Sequence, residues 1–209
     1  MATLTESCNL PPLPNNSQWN GLDIAYLDRD GVLNVGRDTY VNSTEELVVL
    51  DGAADAVASI RAAGFRVCIV TNQSPVGRGH WGHEELADIN NALQSELLTQ
   101  NSDAHLDLIL YSPYPPWDNA WSRKGNPGML QVGRQILSAT YHDIELTKFD
   151  YGPDYTPVNE GDSFMVGDRD ADMKAGHSFG IRTFRCNPDV GVQDVLSRVL
   201  TLTDKGDNI

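Results

Sequence analysis

The feature that most constrains this chain is a regular alternation of two kinds of apolar pattern. Short, nearly continuous apolar runs of strand length fall at residues 22–27, 65–70, 106–111 and 163–166, a fifth strand-length segment, Arg-Thr-Phe-Arg, falls at 182–185, and helix-period segments fall at 53–63, 83–100, 127–141, 170–179 and 192–202. Apolar runs without polar alternation suit strands covered on both faces, and strands separated by helices pair in parallel through right-handed crossovers. The expected fold class is therefore α/β, a doubly wound, Rossmann-like parallel sheet. In such sheets ligands sit at the carboxyl ends of the strands, so chemistry is to be sought in the segments that follow them.

The 209 residues suit one domain. Residues 1–21 are rich in Pro and Asn with Glu6 as their one charge, and are expected to be a flexible N-terminal tail; 22–203 form the single domain and 204–209 a C-terminal tail. No basic n-region with an apolar h-region opens the chain, and nowhere do 18 apolar residues run together. Cys8, Cys68 and Cys186 are odd in number and lack metal or redox spacing, which points to a reducing compartment. A soluble cytoplasmic protein, a monomer or weak homodimer, is the expectation. Fifteen basic against 29 acidic residues give a net charge of -14, which argues against nucleic acid or an anionic membrane as partner. The same balance is compatible with a small phosphorylated metabolite held by a few local cations, or with a divalent ion held by carboxylates.

Four segments that follow strands carry the candidate chemistry. Asp28-Arg29-Asp30-Gly31 places two carboxylates two residues apart: one can attack phosphorus or bind a metal while the other carries the proton that a leaving oxygen needs. An Asx-turn after the strand explains the same residues about equally well. Thr71-Asn72-Gln73-Ser74 offers a hydroxyl and loop N–H groups to phosphate oxygens. Arg123-Lys124 supplies cations, without which a phosphate dianion beside two aspartates would be repelled: unit charges about 4 Å apart interact by roughly 4 kcal/mol at an effective dielectric near 20. Gly167-Asp168-Arg169-Asp170 with Asp172 adds carboxylate oxygen suited to Mg²⁺, although acidic residues also favour the start of a helix.

In this order the four segments resemble the signature of the haloacid dehalogenase superfamily of phosphotransferases, and the resemblance runs from Leu22 to Arg185. Closer still is the family of D-glycero-D-manno-heptose 1,7-bisphosphate phosphatases, on Leu27-Asp28-Arg29-Asp30-Gly31, Val70-Thr71-Asn72-Gln73-Ser74, Arg78-Gly79, Arg123-Lys124, Pro127-Gly128-Met129-Leu130 and Met165-Val166-Gly167-Asp168. The resemblance implies a haloacid dehalogenase fold with a minimal cap or none, and removal of the 7-phosphate of the heptose bisphosphate. It implies Asp28 as the nucleophile that forms an aspartyl phosphate, Asp30 as the general acid and base, and Thr71 and Lys124 as the groups holding the transferring phosphoryl. Mg²⁺ would be bound by Asp28, the Asp30 carbonyl and Asp168, with Arg169 and Asp172 adjacent. Asn72, Gln73, Ser74, Arg78, Arg123 and Tyr40 would meet the substrate, where Arg can fork onto a second phosphate. Histidinol-phosphate phosphatase or another sugar-phosphate phosphatase is the alternative within the class. A receiver-like signalling domain is the alternative outside it, disfavoured because a receiver takes its phosphate on a later strand.

Two departures from that family stand out. Its members typically carry a zinc loop of Cys and His ligands; the corresponding positions here are Ser112, Tyr114, Ala120 and Ser122, which supply neither thiolate nor imidazole, so no structural zinc is expected. Residues 147–162 make a longer link into the last motif, either a flap over the substrate or, as loops more often are, a solvated excursion. The acidity also concentrates here: residues 143–172 hold nine acidic and two basic side chains.

Overall fold

The five strand-length segments form one parallel sheet. The computed structural model describes Cys8 and residues 10–208. In chain order the elements are β1 (Ile24–Leu27), α1 (Ala53–Ala62), β2 (Arg66–Asn72), a single-turn α2 (Ser74–Gly77), α3 (His83–Gln100), β3 (Leu108–Ser112), α4 (Gly128–His142), β4 (Phe164–Gly167), α5 (Asp170–Phe179), β5 (Arg182–Arg185) and α6 (Val192–Val199). The strand order is β3-β2-β1-β4-β5. Every pairing between these five strands is parallel, with Leu27 of β1 level with Ile69 of β2 and Val166 of β4.

Strand alternation sends successive side chains to opposite faces. Ala25, Leu27, Val67, Ile69 and Val166 pack with residues of α1, α3 and α6, whereas Ile24, Tyr26, Cys68, Val70 and Met165 pack with residues of α4 and α5. All four residues of β1 and of β4 are buried, as expected of inner strands covered on both sides. Gly133 of α4 lies against this face so closely that a Cβ there would meet Cys68 Sγ at 3.1 Å. The chain reverses its winding between β1 and β4, and the cleft at their carboxyl ends is the switch point where such sheets bind ligands. Among the described residues no separate cap domain interrupts the sheet, and no helix is long and apolar enough to cross a membrane.

Both ends of the chain differ from expectation. Residues 10–21 dock onto the domain. Leu13 and Trp19 are buried at 7% and 3% exposure, and Trp19 meets Tyr141 edge-on with ring centroids 5.0 Å apart. The Pro-rich composition that suggested a tail serves docking instead. The ring fixes φ and leaves no backbone N–H to satisfy, and the carbonyls of Pro11 and Pro12 accept from Arg66 and Arg61, which also pair with buried Asp107. Residues 1–7 and 9, and Ile209, lie outside the described residues. At the other end, Asp207 donates its N–H to the Thr183 carbonyl and accepts from the Arg185 N–H, extending the edge of β5, while Arg198 pairs with Asp204 and Asp207.

The 147–162 stretch lies along α4. Gln131 and Gln135 bond the backbone of Gly152 and Asp150, Tyr155 packs against Phe179, and Glu160 forms an ion pair with the nearly buried Arg134. None of its residues lines the cavity that holds the candidate chemistry, so it is an excursion and not a flap over that cavity.

Candidate functional site

A cavity of about 280 Å³ opens at the switch point, lined among others by Asp28, Asp30, Thr71, Asn72, Ser74, Lys124, Arg169 and Asp172, with Arg37, Tyr40, Arg78 and Arg123 at its mouth. Three of the four candidate segments meet because their strands are neighbours in the sheet. The fourth, Arg123-Lys124, is brought in by the loop between β3 and α4, which Asn72 pins: its Oδ1 accepts from the Lys124 N–H at 2.9 Å.

Lys124 is the electrostatic centre. Its ammonium is buried at 6% exposure and lies 2.5 Å from Asp28 Oδ1 and 2.7 Å from Asp172 Oδ1. Burial opposes its charge, but Asp172 and Asp28 more than compensate and raise its pKa. Asp172 is itself fixed by the start of α5, where its Oδ2 accepts from the Arg169 N–H. Gly167 makes this approach possible: a Cβ there would fall 2.1 Å from the Asp172 Cβ.

The two carboxylates of the first segment occupy different environments. Burial raises the Asp28 pKa to about 7; Lys124 offsets part of the rise and Asp172 adds to it. Burial acts on Asp30 too, but the Arg29 guanidinium and hydrogen bonds from Asn34, Arg29 and Gln73 outweigh it and hold the group below the ordinary carboxylate value. Arg29 reaches both Asp30 oxygens at 3.1 Å and Asn90 Oδ1 at 3.1 Å, while Asn34 Nδ2 and Gln73 Nε2 each donate at 2.9 Å. Arg29, Asn34 and Asn90 were not singled out in the sequence. The one available signal was Arg29, a cation wedged between two aspartates at the end of an apolar strand.

The remaining expected residues divide into two groups. Ser74, Arg78, Arg123 and Tyr40 face the cavity. Gln73 does not line it: buried at 1% exposure, it donates to Asp30 and to the Thr71 hydroxyl, and so orients those groups from behind. An amide after Thr-Asn reads in the sequence as a substrate donor, and only the tertiary fold shows which way it turns. His83 likewise sits at the start of α3 bonded to the Tyr111 hydroxyl at 2.6 Å.

One carboxylate oxygen each from Asp28, Asp168 and Asp172 lie within 4.8 Å of one another, the one such group of three or more His, Cys, Asp or Glu among the described residues. Asp168 Oδ1 is buried without a hydrogen-bond partner, and burial together with Asp172 raises the Asp168 pKa. Hard carboxylate oxygens with an unsatisfied buried member fit a divalent ion such as Mg²⁺. The 113–123 loop is tied otherwise. Ser112 and Ser122 hydroxyls face one another at 3.4 Å, Trp121 Nε1 donates to Gln131, and Arg123 donates to the Tyr114 carbonyl.

Comparison with known proteins agrees with this layout. The HAD-hydrolase-like family model matches residues 122–191. The D-glycero-D-manno-heptose-1,7-bisphosphate 7-phosphatase of Chlorobaculum tepidum is 31% identical over 167 residues, 77% of this chain and 76% of its own length. The D-glycero-beta-D-manno-heptose-1,7-bisphosphate 7-phosphatase of Rhodopseudomonas palustris is 32% identical over 182 residues, 82% of this chain and 89% of its own. The crystal structure of D,D-heptose 1,7-bisphosphate phosphatase from B. bronchiseptica, complexed with magnesium and phosphate, superposes with a TM-score of 0.64 at 26% identity, covering 84% of this chain and 87% of that one. With its paired aspartates, lysine and second acidic loop at the switch point of a parallel sheet, this chain belongs to the heptose bisphosphate phosphatase family of the haloacid-dehalogenase-like hydrolases.

Proposed function

We propose that this protein is a Mg²⁺-dependent phosphomonoesterase that removes the 7-phosphate of D-glycero-D-manno-heptose 1,7-bisphosphate through an aspartyl phosphate on Asp28. The observation that carries this is the pair Asp28 and Asp30, two residues apart on one cavity with Thr71 and Lys124, the Lys124 ammonium lying 2.5 Å from Asp28 Oδ1. Asp28, beside Lys124, attacks phosphorus. Lys124 and the Thr71 hydroxyl receive the phosphoryl oxygens. Asp30, ionised in the free protein, gains a dianion as neighbour when substrate enters, which raises its pKa so that it takes up a proton from solvent water and passes that proton to the leaving sugar oxygen as the P–O bond breaks. Returned to the carboxylate, it takes a proton from the water that splits the acyl phosphate.

Asp28 and Asp168, with the Asp30 carbonyl, would hold Mg²⁺, and Asp172 would steady Lys124 beside it. When bound, the ion supplies positive charge that offsets repulsion between the Asp28 carboxylate and the phosphate dianion. Neither structural zinc nor a nucleic-acid or membrane partner is part of this proposal. The test is kcat/KM with Mg²⁺ across heptose 1,7-bisphosphate, heptose monophosphates and histidinol phosphate. The bisphosphate should lead by an order of magnitude or more; a lead for histidinol phosphate would overturn the substrate assignment.

A further inference from the structure

The cavity grades from a saturated floor to an unsaturated mouth. On the floor, Lys124 is buried and already shared between Asp28 and Asp172. Towards the mouth, Arg123 is half-buried and Arg78 is exposed, and neither is paired with a carboxylate among the described residues. Arg78 and Arg123 line the same cavity, and burial first and then the neighbouring Arg78 charge lower the Arg123 pKa. Two neighbouring cations without counter-ions need something to hold them there.

The 113–123 loop provides it from both sides. The Tyr114 carbonyl accepts from Arg123 Nη1 at 2.8 Å, and the Arg78 guanidinium lies over the Trp117 ring, 4.9 Å from its centroid. The loop is clasped to the turn that carries Arg78: Gly77 N–H donates to the Pro113 carbonyl at 3.1 Å, and a Cβ on Gly77 would come within 2.4 Å of that oxygen. Trp117 itself is 67% exposed, so its indole does little for the core. An exposed indole on a proline-stiffened loop, stacked on an arginine at a cavity mouth, does its work through that arginine.

We propose that Trp117 is a positioning residue for substrate recognition: it holds Arg78 across the mouth so that Arg78 and Arg123 together engage the second anionic group of the substrate, the one that is not transferred. This rests on the bisphosphate reading above. An exposed cation–π contact has a modest effect, roughly two- to fivefold in binding.

The test measures kcat and KM with Mg²⁺ for the sugar bisphosphate and for p-nitrophenyl phosphate, which has no second anion, on wild type, W117A, W117F, R78A and R78A/W117A. For W117A the bisphosphate KM should rise by about two- to fivefold with kcat little changed, so that its kcat/KM falls relative to that for p-nitrophenyl phosphate. W117F should recover most of the loss, and the double variant should lose no more than R78A alone. Equal effects of W117A on both substrates, no effect on either, or additive losses in the double variant would overturn the proposal. A wild type without preference for the bisphosphate would refute the functional reading and this inference together; a wild-type preference that W117A leaves undiminished refutes this inference alone.

Discussion

At the scale of single residues, the site is a set of charges whose environments oppose one another, and this has a cost in stability. Asp28 is buried with its pKa raised to about 7 from an ordinary 3.8, so the folded protein binds its proton more tightly than the unfolded chain does. Stability from this group is therefore greatest below the unfolded value, declines as pH rises towards 7, and stays low above it. Replacing Asp28 by Asn removes the term while Asp172 still pairs with Lys124. The metal-free Asp28→Asn protein should melt roughly 2–4 °C above wild type at pH 8, with the gap narrowing as pH falls to 5. Thermal unfolding across pH checks this, and a lower melting temperature at pH 8 would contradict it. Asp28, Lys124 and Asp168 could be singled out in the sequence only because the four segments occur together in one order that resembles a known family; each alone reads as well as a turn, a surface lysine or a helix start. Gln73 was placed among the substrate contacts, and Arg29, Asn34 and Asn90 were missed, because hydrogen bonds to Asp30 across the fold leave no pattern along the chain.

At the scale of elements, the site depends on how closely α5 approaches β4. Gly167→Ala would press a methyl group into Asp172, shifting the residue that secures Lys124. Displacements of this size at a reacting centre cost roughly 10²-fold in kcat, and kinetics on folded variant protein should show a loss of that order with KM less affected. The strands and most helices were readable from apolar periodicity, with ends displaced by one to three residues where frayed turns and polar strand ends blur the pattern, as at Asn72, Ser112 and Val199. Residues 10–21 read as a tail because Pro and Asn dominate them, and the apolar side chains that dock the segment, Leu10, Leu13, Pro14 and Trp19, follow no strand or helix period. Truncating Trp19 to Ala should cost roughly 3–5 kcal/mol by denaturant unfolding, with kcat/KM little changed because the segment is remote from the cavity. A loss below about 1 kcal/mol would mean that the segment contributes little despite its burial.

At the scale of the whole molecule, the acidic balance separates into parts with different work. Asp28, Asp168 and Asp172 concentrate negative charge where a cation fits, Arg37, Arg78 and Arg123 surround the mouth with positive charge, and most other acids lie on the exterior. The loop that resembles a zinc site in position holds serines, prolines and tryptophans joined by hydrogen bonds and a cation–π stack. Elemental analysis of purified protein should therefore find less than about 0.1 zinc per chain, and stoichiometric zinc would require ligands other than Ser112, Tyr114, Ala120 and Ser122. The central claim, that Asp28 is the nucleophile of a Mg²⁺-dependent phosphatase, is tested most directly by the kcat/KM of Asp28→Asn on heptose 1,7-bisphosphate with Mg²⁺, measured beside wild type. The prediction is a fall of roughly 10³-fold or more in a variant that remains folded; turnover within about tenfold of wild type would contradict it.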